Sequence, residues 1–369
     1  YDLIFMDISM PVMRGDEAAM EIGQIDREYC KTVPIIAMTA NAMESDVQNS
    51  YKCGMNGHIS KPIEPEEVYR CLKCVLCPRR CQADRNSARR YCGERMQVRV
   101  ARASLHMWEE PCISGSAGSG TVFFAGCPLR CVFCQNRKIA LGDKGKELTT
   151  QQLAKLFLLL QGKGAHNINL VTPTHFVPQI VAALKSAKMQ GLSIPIVYNT
   201  SGYEELETLR MLEGYVDVYL PDLKYYSAEL SAKYSSAPDY FVCASRAIKE
   251  MMRQTGVPIF DQELMTRGVI VRHMVMPGHV GDAKTVLKYL YETYQDDIYI
   301  SIMNQYTPPA DLTAYPELNR RVTHREYEKV VDYAIELGIQ NAFIQEGDTA
   351  NESFIPDFDE EQFLKEIVE

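Results

Sequence analysis

Gly126-Cys127-Pro128-Leu129-Arg130-Cys131-Val132-Phe133-Cys134-Gln135-Asn136 is the stretch that decides the architecture. It follows Gly120-Thr121-Val122-Phe123-Phe124-Ala125, an apolar run whose length and composition predict a short buried strand. The cysteines therefore stand in a loop at a strand's C-terminal end, where α/β barrels carry their chemistry. A C-x3-C-x2-C loop supplies three thiolates, and an iron-sulfur cube held by three thiolates keeps one iron free to bind a substrate or cofactor. On the residues alone, a zinc knuckle and three ordinary buried thiols are the alternatives, although a structural zinc site wants four closed ligands.

Composition bounds the rest. The chain has 369 residues, 46% hydrophobic and 24% charged, which suits about two globular domains with a sizeable core. No apolar run reaches the roughly 18 residues a membrane helix needs, and no charged-then-apolar leader is visible, so no membrane partner and a cytoplasmic location are expected. The net charge of −9 argues against a nucleic-acid partner, with Arg79-Arg80 and Arg89-Arg90 left as local basic pairs. Nine of the twelve cysteines lie between Cys71 and Cys134, and in a cytosolic chain of this length such crowding points to metal or redox use.

Toward the N-terminus, Tyr1-Asp2-Leu3-Ile4-Phe5-Met6-Asp7 reads as an apolar strand ending in a carboxylate. Met10-Pro11 and Gly15 follow, then Val33-Pro34-Ile35-Ile36-Ala37-Met38-Thr39-Ala40, then Gly57-His58-Ile59-Ser60-Lys61-Pro62-Ile63. These stretches resemble the receiver domain of bacterial response regulators from its third strand onward. The resemblance implies that residues 1–70 are an incomplete flavodoxin-like receiver fragment, with Asp7 as phosphoacceptor, Thr39 as switch hydroxyl and Lys61 as the cation beside the phosphoryl group. A phosphorylated carboxylate needs a lysine and a divalent metal to balance its charge. The acidic pair that holds this metal follows a receiver's first strand, and no first or second strand precedes Tyr1, so the fragment is expected to be marginally stable and doubtful in phosphotransfer. A fragment of a longer fusion and a joining artefact both fit.

The boundary is expected between Glu64 and Lys73, with Pro65 at a helix's first position and the helix running through Leu72. Cys74, Cys77, Cys81 and Cys92 then form a candidate metal site in a cysteine-rich segment, residues 71–118. Adding Cys71 gives a C-x2-C-x2-C-x3-C run, and a second iron-sulfur cluster, zinc and thiols without metal all stay open. Cys112 reads as a buried free thiol before an extra ligand, and Trp108 as core.

Beyond the cysteine loop, strand-like segments at 166–171, 194–199, 216–220, 268–274 and 298–303, with a short one at 341–345, alternate with helical patterns. Counting 122–125, that predicts an open (βα)6 TIM-type barrel over 119–369. Polar residues cluster after the strands: Thr172-Pro173-Thr174-His175, Asn199-Thr200-Ser201, Asp222-Leu223-Lys224, Arg272-His273 and Asn304-Gln305-Tyr306.

The cysteine loop, with Phe133 just before its third cysteine, resembles the signature of the radical S-adenosylmethionine (SAM) superfamily. Residues 74–345 resemble uncharacterised relatives of the pyruvate formate-lyase activating enzyme that carry an N-terminal cysteine cluster. The resemblance implies a [4Fe-4S] cluster on Cys127, Cys131 and Cys134, reductive SAM cleavage to a 5′-deoxyadenosyl radical, and hydrogen abstraction from substrate. It further implies SAM contacts from Phe133, Asn199, Asp222, Lys224 and His273, with Thr172, Thr174 and His175 in place of the branch's glycine-glycine-glutamate element. A one-electron donor such as flavodoxin or ferredoxin, and a glycine of a partner protein as substrate, are the implied partners. The alternatives are an iron-sulfur electron-transfer or regulatory protein and a phosphorelay protein with the barrel as output.

Overall fold

The computed structural model describes residues 4–25, 30, 33–40, 44–63, 74–81, 85, 91–141, 144–309, 312–345 and 362–368. The chain divides into two compact units, residues 1–75 with 79–90, and residues 76–78 with 91–369. The expected boundary between Glu64 and Lys73, and Cys71 with it, lies outside the described residues.

In the first unit, β1 (Ile4–Asp7), β2 (Ile35–Thr39) and β3 (Gly57–Ser60) form a parallel sheet in the order 1-2-3. Helices α1 (Gly15–Gln24) and α2 (Glu44–Lys52) make the crossovers. Met6, Ala19, Ile35, Ala37 and Met55 form its core. Gly15 opens α1 against the end of β1, where a Cβ would collide with the Asp7 carbonyl, so only glycine permits that approach.

The second unit begins with β4 (Val98–His106), α3 (Pro111–Ser114), β5 (Ser119–Phe124), α4 (Arg137–Ala140), β6 (Lys146–Leu148) and α5 (Thr150–Gly162). It continues through β7 (Ile168–Val171), α6 (Val177–Met189), β8 (Ile196–Thr200), α7 (Leu206–Arg210), β9 (Val218–Pro221), α8 (Ala228–Ser235) and α9 (Tyr240–Thr255). The hairpin β10 (Ile259–Asp261) and β11 (Leu264–Met274), then α10 (Val280–Tyr294), β12 (Tyr299–Met303), α11 (His324–Leu337), β13 (Ala342–Ile344) and α12 (Gln362–Val368) complete it. The strand order is β13-β12-β11-β9-β8-β7-β5-β4-β6. From β5 to β13 every neighbouring pair is parallel, and β4 pairs antiparallel with both β5 and β6. The expected alternation is therefore present as an open parallel sheet, with an antiparallel flank added on the β5 side.

Helix α5 shows how the pattern works locally. Thr149 caps it, accepting from the Gln152 backbone at 3.2 Å while Gln152 reaches back, and Leu153, Leu156, Phe157 and Leu160 turn to the sheet. The main core runs between such helices and the sheet. A second, smaller apolar cluster of Cys112, Ile113, Val197, Val218, Leu220, Met265 and Ile270 lies apart from it. Along β8 and β11 those residues are followed, two positions further on, by Asn199 and Arg272, so polar side chains share the strand face just beyond the apolar ones.

Candidate active site

The C-terminal strand ends surround an open cavity of about 220 Å³. Cys127, Cys131 and Cys134 line it, together with Phe133, Thr172, Asn199, Asp222, Lys224 and Arg272. The loop is shaped by backbone constraints. Gly126 has φ +80°, and a Cβ there would lie 2.5 Å from both the Cys92 carbonyl oxygen and the Glu94 Cγ, so the chain turns there only with glycine. Arg130 also adopts a positive φ, of 54°. Phe133 is buried against Tyr225 and Tyr306, with ring centroids 6.3 and 6.0 Å away, which holds the loop's second half to the barrel.

Burial pushes the Cys131 thiol up, partly offset by the Lys224 cation, and pushes the Cys134 thiol up to about 12. Thiols so placed become thiolates when a positive metal centre compensates for desolvation. Among the described residues no three His, Cys, Asp or Glu side chains converge on a single ion point. A cube asks for something different, one thiolate at each of three irons, and three thiols lining one cavity suit that donor set.

The same cavity is lined by a buried charged array. Lys224 Nζ donates to Asp222 Oδ2 at 2.6 Å, and Arg272 Nε donates to Asp222 Oδ1 at 3.1 Å. Arg272 also donates to Asn199 Oδ1 at 2.6 Å and to Glu109 Oε2 at 3.3 Å. Burial would raise the Asp222 carboxyl, but Lys224 and Arg272 outweigh it and hold the group below the usual carboxylate range. Burial raises Glu109 despite Arg272, and raises Glu110 beside it. The result is a fixed set of cations and acceptors able to engage a zwitterionic ligand.

Other expected residues are placed elsewhere. Thr174 is buried and donates to Glu204 Oε1 at 2.6 Å, and His175 contacts the Ala125 carbonyl through Nε2 at 2.7 Å; neither lines the cavity. His273 contacts the Leu223 carbonyl at 2.7 Å through Nδ1, on the strand face opposite Arg272 and Met274, which do line the cavity. Trp108, read from sequence as core, is 59% exposed and lines the cavity, because the segment before α3 runs along the mouth. Cys112 is buried, and burial pushes its thiol up to about 12. Glu109, Thr200, Met303 and Gln305 also line the cavity; Thr200 and Gln305 belong to the polar strand-end groups read from the sequence, and for Met303 only its place at a strand end could have signalled it. In the cysteine-rich segment Cys77 and Cys92 are buried, and Cys74 and Cys81 half-buried. In the first unit, Lys61 donates to the Asp7 carboxylate.

Residues 121–290 match the Radical SAM superfamily, and residues 1–73 the response regulator receiver domain. An uncharacterized protein of Methanocaldococcus jannaschii is 30% identical over 270 residues, covering 71% of this chain and 74% of that protein. The chain belongs to the radical SAM superfamily. Superfamily membership implies a [4Fe-4S] cluster and SAM, in keeping with the three-thiol donor set. The receiver part is 46% identical over 75 residues to probable histidine kinase 2 of Oryza sativa, 20% of this chain and only 7% of the kinase. Among solved structures, methylornithine synthase aligns with TM-score 0.43 and 15% identity over 87% of this chain and 90% of its own. Streptococcus suis SuiB bound to S-adenosylmethionine aligns with TM-score 0.43 and 13% identity over 60% of this chain, which spans about half, 49%, of SuiB. No helix among the described residues of this radical SAM chain is long and apolar enough to cross a membrane.

Proposed function

We propose that the chain is a radical SAM enzyme of the activating-enzyme type, acting on a glycine of a partner protein and reduced by a flavodoxin or ferredoxin. The observation that carries the reading is that three signature thiols and the Asp222, Lys224 and Arg272 array face one cavity from different strands. When bound, the cluster and SAM supply one-electron cleavage of the sulfonium and hydrogen-atom abstraction from substrate.

Cys127, Cys131 and Cys134 would hold the cluster. Lys224 and Arg272 are placed to hold the carboxylate of SAM, and Asp222 and Glu109 to accept from its amine. Ser201 also lines the cavity, and its hydroxyl suits a ribose diol. The buried Phe133, Tyr225 and Tyr306 exclude water from behind the cysteine loop. The open cavity and the exposed Trp108 that lines it support a substrate as large as a polypeptide segment. The sequence spacing of Cys74, Cys77, Cys81 and Cys92 is the support for a second metal-binding segment, for a cluster or zinc. Asp7, paired with Lys61, is the candidate phosphoacceptor of the receiver part.

The test is anaerobic reconstitution, addition of dithionite and SAM, and chromatography for 5′-deoxyadenosine. Product formation that disappears in Cys131→Ala supports the reading; its absence from a protein carrying a full cluster refutes it. Iron analysis of wild type against a Cys74→Ala/Cys77→Ala variant separates the two metal sites, with about eight irons falling to about four if both hold cubes.

A further inference from the structure

The buried Ser235 at the C-terminal end of α8 donates from Oγ to Cys131 Sγ at 3.0 Å. The fully buried Tyr225 hydroxyl lies 2.8 Å from the same Ser235 Oγ. A serine hydroxyl has one hydrogen. If it goes to sulfur, the phenol must be the donor to Ser235, and the three groups form a directed chain from Tyr225 through Ser235 to Cys131. Such chains polarise one another, so the last bond is stronger than an isolated hydroxyl would make it.

The placement is over-determined. The Tyr225 ring sits edge-on to Phe133 of the signature loop, with centroids 6.3 Å apart, and to Tyr240 at 5.4 Å. The Val132 backbone N–H donates to the Tyr234 carbonyl at 2.9 Å, tying the loop to the last turn of α8. Only Cys131 among the three signature thiols receives a described serine hydroxyl; Cys127 receives the Leu129 backbone N–H at 3.4 Å.

We infer that Ser235, oriented by Tyr225, is a positioning residue that sets the reduction potential of the cluster through the Cys131 sulfur. The inference rests on the cluster assignment above. Reduction adds negative charge to the cluster and its thiolates, and a hydrogen bond into a thiolate stabilises the more negative state, so the chain raises the potential. It makes an electron from an external one-electron donor easier to accept, without touching SAM or substrate.

The experiment is a redox titration of the anaerobically reconstituted full chain, followed by electron paramagnetic resonance, with no SAM or substrate present. Ser235→Ala is expected to lower the potential, so that at a fixed potential the reduced-to-oxidised ratio falls about tenfold, equivalent to 59 mV for one electron. Tyr225→Phe should give a smaller shift of the same sign, and Ser235→Thr should restore the wild-type value. If Ser235→Ala loses its iron, Tyr225→Phe decides. Wild-type potential in Tyr225→Phe and in a cluster-loaded Ser235→Ala overturns this inference alone, whereas wild type that binds no cluster at Cys127, Cys131 and Cys134 overturns the cluster assignment as well.

Discussion

Arg272 Nε stands 3.1 Å from Asp222 Oδ1 across two neighbouring parallel strands, where a bridge between the same two residues extends the pairing of β9 with β11. One guanidinium thus joins Asp222, Asn199 and Glu109, residues from three different segments that line the cavity.

Replacing Arg272 by Met leaves two buried carboxylates and an amide without their shared donor. Removing one partner of a buried ion pair typically costs about 3–5 kcal/mol. Urea unfolding should show a loss of that order; a loss within about 0.5 kcal/mol, the range of an ordinary surface substitution, would show that the array contributes nothing to stability.

Glu204 is buried, and its carboxylate oxygens accept from the hydroxyls of Thr174, Thr200 and Tyr198. Burial raises its pKa from 4.5 to about 7. The folded state then binds the proton more tightly than the unfolded one, so this group's contribution is full below about pH 4.5 and is lost as pH rises through about 7. Glu204→Gln should flatten that segment of the stability profile between pH 5 and 8, measured by denaturant midpoints. An unchanged profile would mean the carboxyl titrates normally.

Gly126→Ala places a methyl 2.5 Å from the Cys92 carbonyl oxygen on a backbone at φ +80°. The loop must shift, and with it Cys127. Iron content after reconstitution should fall several-fold, with a lowered melting temperature. Wild-type iron loading in this variant would show that the loop tolerates a side chain there.

In the receiver part, the hydrogen bond from Lys61 and the Ser9 backbone N–H hold the Asp7 carboxyl below its usual range. Lys61→Ala should move it back up, toward an ordinary aspartate. Carbon-detected NMR titration of the side chain reads this directly, and no upward movement would place the control with Ser9 alone.

Much of the fold was legible because parallel strands buried on both faces read as continuous apolar runs bounded by turns. Runs at 168–171, 196–200 and 299–303 appear as strands near where they were expected. β4 escaped notice because Arg99 and Arg102 interrupt its apolar pattern; in the folded chain Arg99 is buried against Glu94 at 3.1 Å and Arg102 against Ser104 at 3.2 Å. Trp108 was misread because large aromatics usually fill cores, whereas here the segment passes over an opening.

By itself the sequence determined the donor chemistry and its place at a strand end, since a thiol spacing and an apolar run are both properties of a few consecutive residues. Which neighbours share the cavity was settled only by the tertiary structure. Arg272 turns inward and His273 outward because successive side chains of a strand point to opposite faces, and the register that chooses between them is set by pairing with β9 and β12. Likewise, Glu109 meets Arg272 from 163 positions away, a contact no local pattern encodes.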